Sequence, residues 1–465
     1  MKTKKLLAIL ITMGMITGMT ACGQNNSNST DENAKSEDTT ENSSTDSTEN
    51  QETTESTDSA RGDFSDVSIT MLNTKSELQD YLVDAAAEWG ELTGATLDVY
   101  TISDSGSPSQ EIAARYAANN APTLIMGDVQ DVADICEEYG ADLSNESWAA
   151  NGGETYGVSV DGKLYSFPFC IEGRGLIYNK TAIEETLGEE WDPSSVTNMD
   201  DLAALLEKLV ENGMEYPVAL NMEDYALGGH YLTQVYEEQD STMETTSKFI
   251  DDLKAGNVDL MSNQRFTALM DTFDLLAQYN INKDDPLAAD YATNCADLAE
   301  GEVAIYFNGN WAWAEISSYI EDGTEIGIMP VMQNETSENE AVNSSICGSA
   351  TKQVMIDKEC NDEQQQAAAK DFLNWLVESE EGQSVLIEQC SLIPAFTNID
   401  KDVTNMLAQS VQNYVKEGKV INVPYSYPGD HWQTVGALMQ KYFAGETDRA
   451  TFATEIQDYW TGLAK

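Results

Sequence analysis

Histidine is nearly missing from this chain: 465 residues contain two, His230 and His431. That excludes a histidine-rich metal site and any mechanism that needs several imidazoles. Positive charge is scarce as well, with 24 Lys and Arg against 81 Asp and Glu and a formal net charge of -57. Nucleic-acid binding, which displaces phosphate counterions with Lys and Arg, is excluded. Anionic ligands are disfavoured unless a local basic pocket overrides the global field, and neutral or cationic ligands fit better. Cys136, Cys170, Cys295, Cys347, Cys360 and Cys390 form no C-x-x-C pair, so no zinc or redox motif exists and no disulfide is assigned from their spacing. The G-x-S-x-G, H-E-x-x-H and phosphate-loop motifs are missing too. After residue 22 no apolar run is long enough to span a bilayer, and nothing repeats at a fixed period.

What is there begins at the start. Lys2, Lys4 and Lys5 precede an apolar run from Leu6 that closes on Thr20-Ala21-Cys22-Gly23. This is the n-region, h-region and small-residue cleavage site of a secretory signal over residues 1–21. Cys22 after small residues resembles a bacterial lipobox, with Met19 where Leu is usual. The resemblance implies a lipidated Cys22 and a membrane-anchored protein on the outer face of the cell, of the kind a Gram-positive type bacterium needs. Residues 22–62 are almost all Gly, Asn, Ser, Thr, Asp, Glu and Gln without an aromatic, too polar to offset the entropy of ordering. They read as an acidic linker held extended by its own repulsion.

About 400 residues follow, a length suited to two domains rather than one core. Val67–Leu72 and Thr96–Tyr100 read as strands, Glu77 to about Leu92 and Ser109–Ala118 as helices, and Pro122–Gly127 as a buried strand that ends at Asp128. Further on, Met199–Val210, Phe266–Asn280 and Ala367–Val377 read as helices, and Tyr216–Leu220 and Val303–Phe307 as strands. Strands alternating with helices predict an α/β fold with mostly parallel sheets, in which ligands bind at the carboxyl ends of strands. Asp128 falls at such an end.

Three segments carry a resemblance. Asp161–Lys180 contains Asp-Gly-Lys-Leu-Tyr, Phe-Pro and Leu-Ile-Tyr-Asn-Lys; Leu298–Trp313 contains Gly-Glu, Asn-Gly and Trp-Ala-Trp; Ala367–Cys390 leads into Leu392-Ile393-Pro394-Ala395. In this order they resemble the extracellular solute-binding proteins of carbohydrate ABC importers, the family of maltose-binding protein. The resemblance implies a type II periplasmic-binding-protein-like fold, two α/β lobes joined by a multi-crossing hinge. The N-lobe would comprise 63–171 plus about 345–393, and the C-lobe 172–344 plus about 394–465. It also implies a monomer that captures a neutral sugar between the lobes and delivers it to membrane permease subunits, without a metal, a cofactor or catalysis.

Candidate ligand residues follow from the same segments. Trp311 matches the family's stacking Trp, with Trp313 beside it, after an Asn308-Gly309 turn; indole faces suit the C–H side of a pyranose. Glu172 and Asp128 match carboxylates that accept sugar hydroxyls in short, charge-assisted bonds, and Asn73 is a weaker candidate. Tyr225 and either Asp224 or Glu223 follow a C-lobe strand. Near the end, Tyr427, His431 and Trp432 sit in an aromatic loop before a helix starting near Gln433. Other readings stay open at this point. A glycoside hydrolase also pairs carboxylates with aromatics, a surface adhesin also uses a leash, and the same fold can bind a polyamine or peptide.

Overall fold

The computed structural model describes residues 61–102, 108–288, 290–334, 336, 339–423 and 427–464. The signal segment, Cys22 and all but the last two residues of the acidic linker lie outside the described residues. Those described belong to one unit, Asp58–Lys465.

Among the described residues eleven strands occur in chain order: β1 Ser68–Asn73, β2 Thr96–Thr101, β3 Leu124–Asp128, β4 Ser159–Val160, β5 Lys163–Leu164, β6 Ser166–Asn179, β7 Val218–Ala219, β8 Ile305–Gly309, β9 Ile326–Met329, β10 Ile346–Ile356 and β11 Val420–Ile421. Nine form one sheet in the order β2-β1-β3-β10-β6-β8-β7, with β11 on β10 and β9 on β6. The pairs β1–β2, β1–β3 and β7–β8 are parallel, as helical crossovers require. The long strands β6 and β10 run antiparallel to each other and to their other main-sheet neighbours β3, β8 and β9.

Strand β6 belongs to both halves of the molecule. From Ser166 to Arg174 it pairs with β10, and from Arg174 to Asn179 it pairs with β8 and β9. Phe167, Phe169 and Ile171 enter one core cluster with β1, β3 and the helix Gln79–Thr93; Leu176 enters the other with β7 and β8. The clusters do not divide at the lobes, because the first also takes in Ile177 of β6 and Tyr306 of β8. The strand is buried along most of its length, with apolar Phe167–Ile171 and Leu176–Ile177 on either side of Glu172-Gly173-Arg174-Gly175.

The helix Gln79–Thr93 shows how local sequence fixes packing. Leu82, Ala85, Ala86 and Trp89 recur at helical spacing and are buried. Trp89 meets Phe372 of the helix Glu363–Glu378 edge-on at 5.5 Å and donates from its ring nitrogen to Asp371 at 2.8 Å.

Two local expectations are corrected. Asn308-Gly309 is not a turn: β8 continues through both, because Asn308 pairs with Gly175 and Gly309 with Arg174. The last aromatic segment is not all loop, since the helix His431–Phe443 already contains His431 and Trp432. Just after Pro394, the Phe396 ring lies 4.7 Å from Phe167 and 5.8 Å from Trp148. All six cysteines of the described part are free thiols.

Candidate functional site

On the N-lobe side the site starts where β1 ends. Asn73 is fully buried and is consumed in shaping the loop: its Oδ1 accepts from the Lys75 amide at 2.8 Å, and its Nδ2 donates to the Lys75 carbonyl at 2.9 Å. The loop delivers the Lys75 ammonium 3.0 Å from Glu172 Oε1 on β6 and 3.0 Å from Glu77. The other Glu172 oxygen accepts from the Thr351 hydroxyl on β10. Burial alone would raise the Glu172 pKa, but Lys75 and the Thr351 hydroxyl override it and hold the carboxylate below its ordinary value. Asp128 ends β3, and its Oδ1 lies 2.6 Å from the Lys352 ammonium on β10. Each N-lobe carboxylate read from the sequence therefore comes with a lysine.

The C-lobe side is built on a π-helical segment, Tyr225–Tyr231, a geometry frequent at functional sites. Asp224 caps it, its Oδ1 accepting from the Tyr225 amide at 2.8 Å. Glu223 turns the other way and accepts from the Tyr291 amide at 3.2 Å. The segment lies directly on the helix His431–Phe443. A Cβ on Gly228 would sit 2.5 Å from the Gly436 nitrogen, and one on Gly436 would sit 2.2 Å from the Asp224 carbonyl oxygen, so only glycine permits this approach.

That approach assembles a band of rings. Trp432 and Tyr225, 37% and 36% exposed, meet edge-on at 6.5 Å. Tyr225 meets His230 at 5.8 Å, and His230 meets Trp311 at 4.8 Å. Burial, then the neighbouring Arg174 cation, pushes the His230 pKa down to about 3. It is a neutral imidazole near pH 7, with one donor and one acceptor nitrogen. Trp311 occupies the turn Asn310–Ala312 at the end of β8, and Asn310 Oδ1 accepts from the Gly173 amide at 2.8 Å. The band is thereby tied to β6 one residue from Glu172.

Of the residues expected from the sequence, Tyr225, Trp311 and Trp432 come together in the band, and Glu172 and Asp128 are each paired with a lysine on the N-lobe side. Asp224 stands beside the band as a helix cap. Trp313 packs against the larger core cluster instead. His431 is buried among Tyr236, Tyr427, Tyr459 and Trp460, with its pKa pushed down to about 3 by burial, so it is a core imidazole. Tyr427 stacks on it at 4.9 Å, and its hydroxyl donates to Glu237 at 3.3 Å. Sequence reasoning missed His230, Lys75, Lys352 and Arg174. Their scarcity was the available signal: a base or histidine turned inward in so acidic a chain has a reason to be there.

Among the described residues no group of three or more His, Cys, Asp or Glu is placed to hold a metal ion. The arrangement offers flat apolar faces, a neutral imidazole and neutralised ion pairs, the means to hold a neutral, hydroxyl-rich ligand by stacking and hydrogen bonds.

Residues 84–416 match the family model of bacterial extracellular solute-binding proteins. No curated protein matches the chain in sequence. Among solved structures, RafE in complex with raffinose superposes with a TM-score of 0.68 at 16% identity, over 86% of this chain and 100% of that one. The apo form of RafE from Streptococcus pneumoniae gives 0.69 at 16% identity, over 86% and 98%. A sugar transporter protein from Bacillus licheniformis in complex with stachyose gives 0.62 at 18%, over 85% and 100%. At such identities the likeness establishes the fold. The family match spans most of the folded part, and on it the chain belongs to the bacterial extracellular solute-binding proteins.

Proposed function

We propose that this protein captures a neutral sugar or oligosaccharide between its lobes for an ABC importer. The observation that carries the reading is the band Trp432–Tyr225–His230–Trp311, four rings in sequence beside ion-paired carboxylates. Rings in file suit successive pyranoses, and neutral surroundings suit hydroxyls rather than a charged group. Glu172 and Asp128 contribute as pairs with Lys75 and Lys352, so a ligand meets ammonium donors as well as carboxylate acceptors. Two of the solved relatives hold raffinose and stachyose, which supports a ligand of that class.

The surrounding parts of the reading follow. Cys22 is lipidated and residues 23–62 leash a monomer to the outer face of the membrane near permease subunits. Hinge movement at β6 and β10 couples ligand to docking, because a ligand shifts an equilibrium by its differential affinity for the two states. The N-lobe comprises 63–171 and about 345–393. The C-lobe takes 172–344 and the remainder. The protein does no chemistry on its ligand.

The test is a titration of the purified chain with raffinose and stachyose, followed by Trp emission and calorimetry, with product analysis after incubation. Trp311→Ala should weaken binding by about 2 kcal/mol, roughly thirtyfold. An unchanged constant removes Trp311 from the site, and appearance of hydrolysis products removes the binder reading altogether.

A further inference from the structure

Arg174 lies on β6 two residues beyond Glu172 and turns toward the C-lobe. Its side chain is 12% exposed and that of Glu237, its partner, 8%. The guanidinium reaches three acceptors. Nε donates to the His230 carbonyl at 2.8 Å, and an amino nitrogen donates to Thr233 Oγ1 at 3.1 Å and to the Glu237 carboxylate. The acceptors lead to rings. His230 is the imidazole between Trp311 and Tyr225, and the second Glu237 oxygen accepts from the Tyr427 hydroxyl. Thr233 in turn donates to the Gly229 carbonyl at 2.7 Å, inside the π-helical segment. On the backbone, Arg174 stands opposite Cys347 on β10 and Gly309 on β8, two residues before Trp311.

One planar group thus grips the ring band from behind while its own backbone is fixed in the strand shared by both lobes. A guanidinium can do this because its donors diverge in a rigid fork, whereas an ammonium is a point charge on a flexible stem. A buried ion pair is a weak source of stability, since an apolar pair of similar volume often serves as well. Orientation is what an apolar pair would not supply.

We propose that Arg174, with Glu237 as its counter-charge, is a positioning residue that sets the His230–Trp311–Tyr225 geometry and carries movement of β6 to the ligand-facing rings. The proposal rests on the reading of that band as the sugar site.

The test uses Arg174→Lys, Arg174→Met and the double variant Arg174→Met/Glu237→Met in the full chain. Three readouts apply: melting temperature, raffinose and stachyose affinity, and the long-range 1H–15N imidazole spectrum. With two histidines in the chain, a His230→Gln control assigns both signals. Arg174→Lys should move the His230 signals, leave those of His431 in place, and weaken binding about tenfold, the value of one displaced charge-assisted contact. The double variant should recover the melting temperature lost in Arg174→Met while His230 stays displaced and binding stays weak. Recovery of stability, His230 signals and affinity together would make the pair merely structural and overturn the proposal. So would unmoved His230 signals in Arg174→Lys, the variant that decides if the Met variants do not fold. Failure of raffinose and stachyose to bind the parent would sink the sugar reading, while the histidine spectrum would still decide the role of Arg174.

Discussion

Replacing Glu238 by Gln removes a titration from the interior of the C-lobe. Glu238 is 4% exposed; its Oε2 accepts from Gln333 at 2.6 Å and its Oε1 from the Cys347 thiol at 3.6 Å. Arg265 donates to the Glu238 backbone carbonyl at 2.8 Å. Burial wins over the neighbouring Arg265 and carries the pKa from 4.5 to about 7. The unfolded chain loses this proton first as pH rises. The stability linked to it is present below about pH 4.5 and lost progressively up to about pH 7. A gap of that size corresponds to roughly 3 kcal/mol. Gln keeps the volume and the acceptor for Gln333 and cannot ionise. Urea unfolding of both proteins at pH 5, 6, 7 and 8 should show the variant gaining on the parent by roughly 3 kcal/mol across the range, with most of the gain before pH 7. A difference that stays flat would mean that Glu238 ionises normally, and the account of its burial would be wrong.

Three other substitutions probe the site and its supports. Gly309→Ala places a Cβ 2.2 to 2.6 Å from the Trp311 ring at a backbone conformation that alanine tolerates, so it should shift Trp emission and weaken raffinose binding with little loss of melting temperature. Gly436→Ala drives a methyl into the Asp224 carbonyl, 2.2 Å away, and should cost about 2 kcal/mol in chemical unfolding while separating Tyr225 from Trp432. Lys75→Met leaves the Glu172 carboxylate unpaired and should cost about 3 kcal/mol at pH 7. Adding Glu172→Gln should recover much of that loss in a thermal melt, and no recovery would show that Lys75 acts through something other than this pair.

The strands and helices of the N-lobe were legible because their apolar spacing is decided locally. Gln79–Thr93 buries Leu82, Ala85, Ala86 and Trp89 at the spacing any amphipathic helix shows. Asn308-Gly309 misled because turn propensity is local, whereas the pairing of β8 with Gly175 and Arg174 is not. His431 and Trp432 looked alike as neighbours in an aromatic run. Once the helix starts at His431 they lie about 100° apart around its axis, which buries one and leaves the other at the surface. His230, Arg174 and Lys75 were out of reach for a different reason. Arg174 and His230 are 56 residues apart, and Lys75 and Glu172 are 97 apart, distances over which spacing holds no information.

Strand β10 carries a consequence for the order in which the molecule can be made. In the sheet it lies between β3 and β6, yet it begins at Ile346, long after β3 has ended at Asp128. The helix that covers the N-lobe core, Glu363–Glu378, comes later still. A growing chain must therefore release residues 172–344 before its N-lobe can close. Until then β3 and β6 present open edges, which invite mispairing. Contacts of such sequence separation form slowly. The N-lobe core therefore stays open until the chain has been made as far as Glu378.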